Sequence, residues 1–294
     1  MPLFKIRNKE IDLLKPIEFK TEKEIQNLIE NNLNDVFNCT FLASEYSTGP
    51  EHGGRIDTLA LSEENNPVII EYKKIESSQL VNQSMYYLDW LKDHHGDFQI
   101  LVSKMFVGND VSVDWMDIRV ICIAPSYSKY DINAVKNFGV NIELWQYHLY
   151  ESNMLYLEKI FPISTTKLKV KSDRNEIMTF DIHLKNVNKD IKEIAIEMSE
   201  FIKDLDEGVA ETPKKFYIAY KLAQNFVCMQ VNQNMIYIYL KIEPSSLNIL
   251  PSKGRDVTNI GHLGTGNLEI KIENKEDFEN SKEFIIQSFK NVGG

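Results

Sequence analysis

Two neighbouring stretches of the chain decide its fold, GGRIDTLAL at residues 53–61 and PVIIEYKK at residues 67–74. Both contain branched apolar residues that favour β-strands, and the polar run SEENN at residues 62–66 is typical of a turn. The sequence therefore predicts a hairpin. Asp57 and Glu71 each interrupt an apolar run. Because strand side chains alternate between the two faces, the hairpin can place both carboxylates on one surface of the sheet.

The elements around this hairpin alternate between helix and strand. A helix is predicted over residues 21–37, where Thr21 and Glu24 form a capping box and the apolar residues recur at helical spacing. Downstream, the pattern predicts a helix at 77–92, strands at 98–102 and 119–124, a short helix at 131–138 and a strand at 140–146. Strands that alternate with helices indicate an α/β domain, which we place at residues 1–163.

A second, smaller domain is predicted at residues 186–294. Residues 164–185 precede it as a linker, because the apolar pattern weakens there and lysines accumulate. The predicted elements are a helix at 191–205, strands at 216–222, 226–231, 235–242 and 268–272, and a helix at 275–290. The segment Asn232–Asn234 lies between two strand-like runs and is typical of a hairpin turn. This order of elements indicates an α+β domain.

Composition narrows the class of protein. Hydrophobic residues make up 43% of the chain and charged residues 26%, which is typical of globular proteins. No apolar run approaches the ~18–20 residues of a membrane-spanning helix, and residues 1–20 lack the apolar core of a signal peptide. We therefore expect a soluble, cytoplasmic protein. The three cysteines form no CxxC pair, which argues against a disulfide framework or a structural zinc site.

The charge is distributed unevenly along the chain. The net charge is −10, and residues 1–165 carry 15 Lys and Arg against 24 Asp and Glu, whereas residues 166–294 carry 18 against 19. This distribution argues against a broad, nonspecific surface for nucleic acid. It is compatible with an enzyme that contacts DNA through a local patch and metal ions.

The hairpin carries a group of residues suited to phosphodiester hydrolysis. Glu71 and Lys73 lie two residues apart and share a strand face. Two adjacent carboxylates, here Asp57 and Glu71, repel each other unless a positive charge lies between them. Mg²⁺ or Mn²⁺ supplies that charge, with the backbone carbonyl of Tyr72 as a third ligand. Lys73 would then orient the attacking water or stabilise the charge that develops on the phosphate.

A purely structural interpretation stands beside this one. Glutamate and lysine two residues apart in a strand commonly form cross-strand salt bridges. Asp57 and Glu71, however, interrupt apolar strands in which an unpaired charge is costly, and this favours a functional site. For Arg55, at the start of the first strand, contact with a phosphate backbone and a surface salt bridge are equally open.

Taken together, these motifs resemble the PD-(D/E)XK nuclease superfamily over roughly residues 20–125. The resemblance rests on the glutamate-bearing first helix, GGRIDTLAL, VIIEYKK and the following helix with QSMYYLDWL. The branch that includes the archaeal NucS-type mismatch endonucleases is the most similar. The resemblance implies a restriction-endonuclease-like α/β core, with a mixed central sheet flanked by helices. It also implies metal-dependent DNA cleavage, in DNA repair or in defence against foreign DNA. Ile56 replaces the proline of the family motif.

The resemblance also assigns residues outside the hairpin. The second core helix of that branch carries a QxxxY pattern, which Gln83 and Tyr87 match, and implies that they orient the substrate or the active site. Packing of this helix onto the sheet is the alternative role. The family has a further glutamate in its first helix, for which Glu22 is the best match and Glu24 and Glu30 are alternatives.

The second domain is similar to a domain of unknown function found at the C-terminus of nuclease-like proteins and often labelled "predicted transport protein". The similarity lies in PKKFYIAYKLAQNFVCMQ and GHLGTGNLEIKI. No spanning segment supports transport, so we expect an accessory module for nucleic acid or for a protein partner that stays unidentified.

Several expectations about partners follow for the whole chain. DNA is the expected substrate, RNA is less favoured, no membrane is involved, and a homodimer is left open. The rival hypothesis is a noncatalytic binding scaffold with a nuclease-like fold. The acidic first domain supports this rival, and the intact set of Asp57, Glu71 and Lys73 opposes it.

Overall fold

The computed structural model describes residues 2–76, 79–108, 111–136, 138–160 and 178–294. The chain divides into two compact units, Met1–Val170 and Lys171–Gly294. Residues 164–177 of the predicted linker lie outside the described residues, so the predicted domain bounds stay a prediction. None of the helices in the described part of the chain has the length and apolar character needed to span a bilayer.

The first unit contains nine strands and six helices among its described residues. They are β1 (Leu3–Arg7), β2 (Glu10–Leu14), β3 (Pro16–Ile17), α1 (Glu22–Asn31), α2 (Leu33–Phe37), β4 (Cys39–Ser47), α3 (Gly49–His52), β5 (Arg55–Ser62), β6 (Pro67–Tyr72), α4 (Leu80–Asp93), α5 (His95–Met105), β7 (Arg119–Ala124), α6 (Lys129–Val135), β8 (Asn141–Tyr150) and β9 (Met154–Ile160).

A seven-stranded mixed sheet organises this unit. Its order is β3-β8-β7-β6-β5-β4, with β9 added on β8. Strands β4, β5 and β6 are antiparallel neighbours, whereas β6, β7 and β8 run parallel. The chain between β6 and β7 includes α4 and α5, as a parallel connection requires. The predicted restriction-endonuclease-like core, a mixed sheet flanked by helices, is confirmed.

The predicted hairpin corresponds to β5 and β6. Every residue of β6 is buried, because a central strand has neighbours on both edges and helices over its faces. Leu80, Leu88 and Leu91 of α4 pack with Ile69 of β6 in one apolar core. The helix α4 therefore lies over the sheet face that also carries Glu71, two residues further along the strand.

Two features of the first unit differ from the predictions. The strand predicted at 98–102 is part of the helix α5. Phe98, Leu101, Val102 and Met105 follow helical spacing, and Phe98 and Val102 are buried on one face. The helix predicted over 21–37 is divided at Asn32, whose backbone (φ −125°, ψ 24°) leaves the helical region between α1 and α2.

The second unit contains three helices and six strands among its described residues. They are α7 (Phe180–His183), α8 (Lys189–Lys203), β10 (Ala210–Pro213), β11 (Ile218–Lys221), β12 (Asn225–Val231), β13 (Ile236–Leu240), β14 (Gly254–Asp256), β15 (Leu268–Ile272) and α9 (Lys275–Asn291).

These strands form one antiparallel sheet in the order β10-β11-β12-β13-β15-β14. Apolar residues of α8 and α9 pack with strand residues in a single core, so the predicted smaller α+β domain is confirmed. The hairpin predicted around Asn232–Asn234 joins β12 to β13. Helix α7 lies within the segment predicted as a linker, and Leu184 just after it is buried in this core.

Candidate active site

Asp57 and Glu71 meet where β5 and β6 separate. The last cross-strand pair of the ladder in this direction is Thr58 with Ile70. Beyond it, the two acidic side chains replace main-chain carbonyls as acceptors. The N–H of Asp57 donates to Glu71 Oε1 at 3.0 Å, and the N–H of Tyr72 donates to Asp57 Oδ2 at 3.1 Å. Each strand thus fixes the carboxylate of the other.

Lys73 joins this pair from the end of β6. Its Nζ donates to Glu22 Oε1 at 2.9 Å and to the carbonyl of Tyr72 at 2.9 Å. The second carboxylate oxygen of Glu22 accepts the N–H of Lys74 at 3.2 Å. The Lys73 side chain is 20% exposed and that of Glu22 41%. Helix α1 therefore contributes a glutamate to the site through its first residue.

The other two glutamates weighed for this helix have different positions. Glu24 caps the helix start by accepting the N–H of Lys20 at 2.6 Å. Glu30 accepts the hydroxyl of Thr58 at 2.7 Å. Thr58 points to the sheet face opposite Asp57, since neighbouring strand residues alternate. Among the three, the structure brings Glu22 to Lys73.

Gln83 and Tyr87 contact the site from α4. Gln83 Nε2 donates to Glu71 Oε2 at 3.1 Å and to the Tyr87 hydroxyl at 3.3 Å. The same hydroxyl accepts the N–H of Arg55 at 3.2 Å. A β-carbon at Gly54 would lie 2.5 Å from Tyr87 Cε1, so only glycine allows this close approach. These contacts orient Glu71 and the start of β5.

The side chain of Arg55 forms an ion pair with Glu45 of β4. Arg55 Nε lies 2.5 Å from Glu45 Oε2, and Lys23 Nζ lies 3.0 Å from Glu45 Oε1. The backbone of Glu45 has a φ of +51°, unusual for a residue with a side chain. Burial raises the pKa of Glu45, but the hydrogen bond and charge of Lys23 and the charge of Arg55 outweigh it, so the pKa is lowered. The surface ion pair predicted as one alternative for Arg55 is present.

A cleft of about 640 Å³ opens over these residues. Its walls include six of the predicted site residues together with the loop around α3, namely Glu22, Ser47, Gly49, Pro50, Gly53, Gly54, Arg55, Asp57, Lys73, Gln83 and Tyr87. Glu71 is fully buried beneath it. The arrangement is an open cleft with two carboxylates and a lysine in its wall and a third carboxylate, that of Glu71, behind them.

Both central carboxylates are held in an environment that disfavours their charge. Burial raises the pKa of Asp57 to about 6, against smaller opposing effects from the N–H of Tyr72 and the charge of Lys73. Burial, and then the neighbouring charge of Asp57, raises the pKa of Glu71 well above its usual range. For Lys73, burial lowers the pKa, but Glu22 and the two carboxylates outweigh it and the pKa is raised. Lys73 is therefore a cation at neutral pH.

These shifts predict how stability depends on pH in the absence of divalent metal. A carboxyl whose pKa is raised on folding stabilises the fold at low pH, and this contribution is lost as the pH rises through the folded-state value. For Asp57, with a shift from 3.8 to about 6, the free energy of unfolding should fall by about 1–2 kcal/mol between pH 5 and pH 8.

Asp57→Asn is the matched variant for this measurement. Chemical denaturation at several pH values should show that the fall is smaller in Asp57→Asn than in the wild type. Equal slopes in the two proteins would contradict the raised pKa of Asp57.

Two residues of this region had not been singled out from sequence. Gln26 of α1 is buried, and its Nε2 donates to the carbonyl of Asp57 at 2.8 Å. Its position four residues after Glu22, between the apolar Ile25 and Ile29, was a usable signal, because a polar residue on an apolar helix face needs a partner. Glu45 of β4 had no such signal.

The charge of the central carboxylates suits a divalent metal, whereas the number of ligands arranged around them does not. A buried carboxylate beside a half-buried one, both with raised pKa values, is the charge pattern that a cation relieves, and Mg²⁺ is commonly held by one or two carboxylates. The carbonyl of Tyr72, predicted as a third ligand, accepts Lys73 Nζ. No cluster of three or more His, Cys, Asp or Glu side chains is arranged for a metal within the described residues.

Two cations of the second unit, Lys253 and Arg255, are engaged by acidic residues. Lys253 pairs with Glu273 and Asp277, at 2.9 Å and 2.6 Å, and Arg255 pairs with Glu269 at 2.9 Å. These ion pairs argue against Lys253 and Arg255 as part of a nucleic-acid surface on this unit.

The chain is similar to several known proteins in sequence or in structure. No family model matches it. An uncharacterized protein of Haemophilus influenzae is 29% identical, over 99% of this chain and 100% of the relative. Among solved structures, a repair endonuclease from Pyrococcus abyssi has a TM-score of 0.31 and 20% identity, over 45% of this chain and 50% of that one.

A complex of EndoMS with double-stranded DNA has a TM-score of 0.32 and 16% identity, over 50% of this chain and 64% of that one. The Ca²⁺ complex of SfsA from Pyrococcus furiosus has a TM-score of 0.28 and 12% identity, over 51% and 77%. The chain thus spans half to two thirds of the length of the two endonuclease chains it matches.

Proposed function

We propose that the first unit is a metal-dependent endonuclease that hydrolyses DNA phosphodiester bonds. The observation that carries this proposal is the convergence of Asp57, Glu71, Lys73 and Glu22 at one open cleft. Buried acidic residues with raised pKa values next to a lysine are costly to the fold and are typical of catalytic sites. We further propose membership of the NucS-like branch, with a role in DNA repair or in defence against foreign DNA.

Each residue has a proposed role. Asp57 and Glu71 would hold Mg²⁺ or Mn²⁺, with the carbonyl of Tyr72 as a further ligand once Lys73 turns to the substrate. A divalent ion bound there would neutralise charge on the phosphate and make water a stronger nucleophile. Lys73 would donate its hydrogen bonds to the oxygen that gains negative charge, and Glu22 would hold the ammonium group in place.

The cleft walls would position this machinery. Gln83 keeps one Glu71 oxygen in place through its amide, and Tyr87 fixes the main chain at Arg55. The guanidinium of Arg55 would contact the DNA backbone. The second unit is proposed as an accessory module of the kind labelled "predicted transport protein", and the domain bounds 1–163 and 186–294 belong to the same proposal.

The test combines metal binding with cleavage. Titration calorimetry with Mg²⁺ or Mn²⁺ should detect binding to the wild type and none to Asp57→Ala. A labelled panel of single-stranded, duplex, mismatched and branched DNA, with RNA as comparison, should be cleaved by the wild type and not by Asp57→Ala. Absence of both metal binding and cleavage would refute the proposal and leave the noncatalytic scaffold, which the pairing of Arg55 with Glu45 favours.

Replacing Glu45 should strengthen DNA binding, whereas replacing Asp57 should abolish metal binding and cleavage. The carboxylate of Glu45 occupies Arg55 and Lys23, so a DNA phosphate must compete with it for these cations. Glu45→Gln should tighten DNA binding roughly three- to tenfold. The negative slope of the log of the association constant against log salt should become steeper by about 1, since one further phosphate contact forms.

Asp89→Asn removes the same charge from a position outside the cleft lining, where Asp89 lies 3.8 Å from Lys92. Fluorescence anisotropy with duplex DNA at several salt concentrations, in Ca²⁺ instead of Mg²⁺, would compare the two variants. Equal affinities would show that Glu45 does not compete with the phosphate.

A further inference from the structure

The strands β1 and β2 form a two-stranded sheet of their own, outside the central sheet of the first unit. They pair in register from Leu3 with Leu14 to Arg7 with Glu10. Asn8 and Lys9 both have positive φ values, 48° and 73°, as in the two-residue turns that match the twist of a hairpin. A lone two-stranded ribbon is at best marginally stable in water, so this hairpin needs further contacts to be a persistent element.

The two faces of the ribbon have opposite character. Phe4 pairs with Leu13 and Ile6 with Ile11, and these four side chains share one face because strand residues alternate. Their exposed fractions are 49% for Phe4, 55% for Leu13, 75% for Ile6 and 66% for Ile11. One face of the hairpin, which we call the apolar face, is therefore uniformly hydrophobic and exposed to solvent.

The other face carries the charges and the attachment to the unit. Lys5 lies opposite Asp12, and Arg7 lies opposite Glu10, so the paired strands place equal numbers of positive and negative charges on this face. Leu14 at the base is buried. Next to it, the carbonyl of Lys15 accepts the N–H of Glu151 at 3.0 Å. The ribbon is thus anchored at its base, with its apolar face directed away from these anchoring contacts.

The charge pattern and the size of the apolar face indicate the kind of partner. The paired strands carry two cations, Lys5 and Arg7, each opposite a carboxylate, and the turn adds a third, Lys9. This is not the cluster of unpaired lysines and arginines that a surface for nucleic acid or for an anionic membrane would present. The four side chains expose on the order of 500 Å², comparable to the largest patch of a typical monomer. Two such faces in contact would bury about 1,000 Å², the lower limit for a specific interface, before neighbouring residues are added.

We propose that the apolar face is a homodimer interface and that its occupant is the same face of a second copy of this chain. An antiparallel ribbon has a local two-fold axis between its strands, so a second ribbon can stack on it with each apolar pair against the other. This is the self-complementary contact that a two-fold dimer requires. Stacking would also supply the second layer that a lone hairpin lacks.

Two double variants of the full chain separate the faces. Ile6→Thr with Ile11→Thr makes the apolar face polar while keeping branched residues that favour strands. Lys5→Thr with Asp12→Thr changes the adjacent cross-strand pair on the opposite face and is the control. Sedimentation equilibrium should show the wild type and the control as dimers of twice 34.1 kDa. For the isoleucine variant we expect a dissociation constant raised at least about tenfold.

Hydrogen exchange of the hairpin amides provides a second measurement. In the wild type, protection should rise with protein concentration, and in the isoleucine variant it should not. A wild type that stays monomeric up to about 100 µM, or a dimer that the isoleucine variant leaves unchanged, would overturn the proposal. If the wild type is monomeric, loss of binding to DNA or to lipid vesicles in the isoleucine variant alone would assign the apolar face to that partner instead. None of these readouts depends on nuclease activity.

Discussion

Replacing Glu71 with glutamine should abolish DNA cleavage and at the same time stabilise the protein. Glu71 is fully buried, and its pKa is raised by burial and by the charge of Asp57. Glutamine keeps the shape and the oxygen that accepts the N–H of Asp57, but it carries no charge that a metal can neutralise. We expect a loss of cleavage of at least about 10³-fold, as for removal of a central electrostatic group.

The stability of the same variant should change in the opposite direction. At pH 8 the carboxyl of Glu71 must either ionise in a dry environment or keep a proton that the unfolded chain would release, and the glutamine of the variant has neither cost. At pH 8 without metal, the free energy of unfolding should therefore rise by roughly 1–3 kcal/mol. Denaturation with urea would measure this change, and single-turnover cleavage would measure the activity.

Glu143→Gln is the matched control, since Glu143 is also a buried glutamate of the same sheet. Glu143 is paired, however: its two oxygens accept Nε and Nη2 of Arg119 at 2.9 Å and 3.0 Å, and one also accepts Trp145 Nε1 at 2.9 Å. Breaking a buried pair costs about 3–5 kcal/mol. Glu143→Gln should thus destabilise the fold while the folded enzyme still cleaves. If both variants lost stability alike, Glu71 would be a structural residue.

The sequence pattern predicted one part of the site and not another. Glu71 interrupts VIIEYKK within a strand, and Asp57 interrupts the strand before it, so periodicity and one short turn were enough to bring the two together. The contact between Lys73 and Glu22 joins residues 51 positions apart, and only the family resemblance pointed to Glu22. Local patterns do not encode such a contact.

The parts of the fold that were missed have identifiable physical causes. Most residues of β4 are partly buried, so the strand lacks the alternation of buried and exposed residues that marks a half-buried strand. For this reason neither β4 nor its residue Glu45 was predicted. The run FQILV in α5 is short and apolar, and such a run fits a buried strand or a helix equally well. Helix α5 is decided by the packing of Phe98 and Val102 against the core.

Lys73→Met should reduce cleavage by about 10²–10³-fold without preventing metal binding. The raised pKa keeps Lys73 protonated, so it cannot serve as a general base at neutral pH and acts through its charge and its hydrogen bonds. Its ammonium lies next to two carboxylates proposed as metal ligands. Removing a cation from beside them should leave metal affinity unchanged or increase it.

The adjacent Lys74 provides the control. Lys74 Nζ donates to the carbonyl of Lys20 at 3.1 Å and does not line the cleft. Lys74→Met should therefore retain cleavage within a few-fold, since the half-buried Lys74 is not part of the cleft wall and its ammonium contacts a main-chain carbonyl. Calorimetry with Mn²⁺ would measure metal affinity, and single-turnover cleavage would measure the chemical step.

The combination of the two measurements distinguishes a catalytic lysine from a structural one. A lysine that only held Glu22 and the carbonyl of Tyr72 in place would, when replaced, disturb the ligand geometry, so metal affinity and cleavage would fall together. A lysine that stabilises the transition state would affect cleavage alone, because charge on the phosphate develops only during the reaction. Parallel losses in Lys73→Met would therefore assign Lys73 to the support of the metal site.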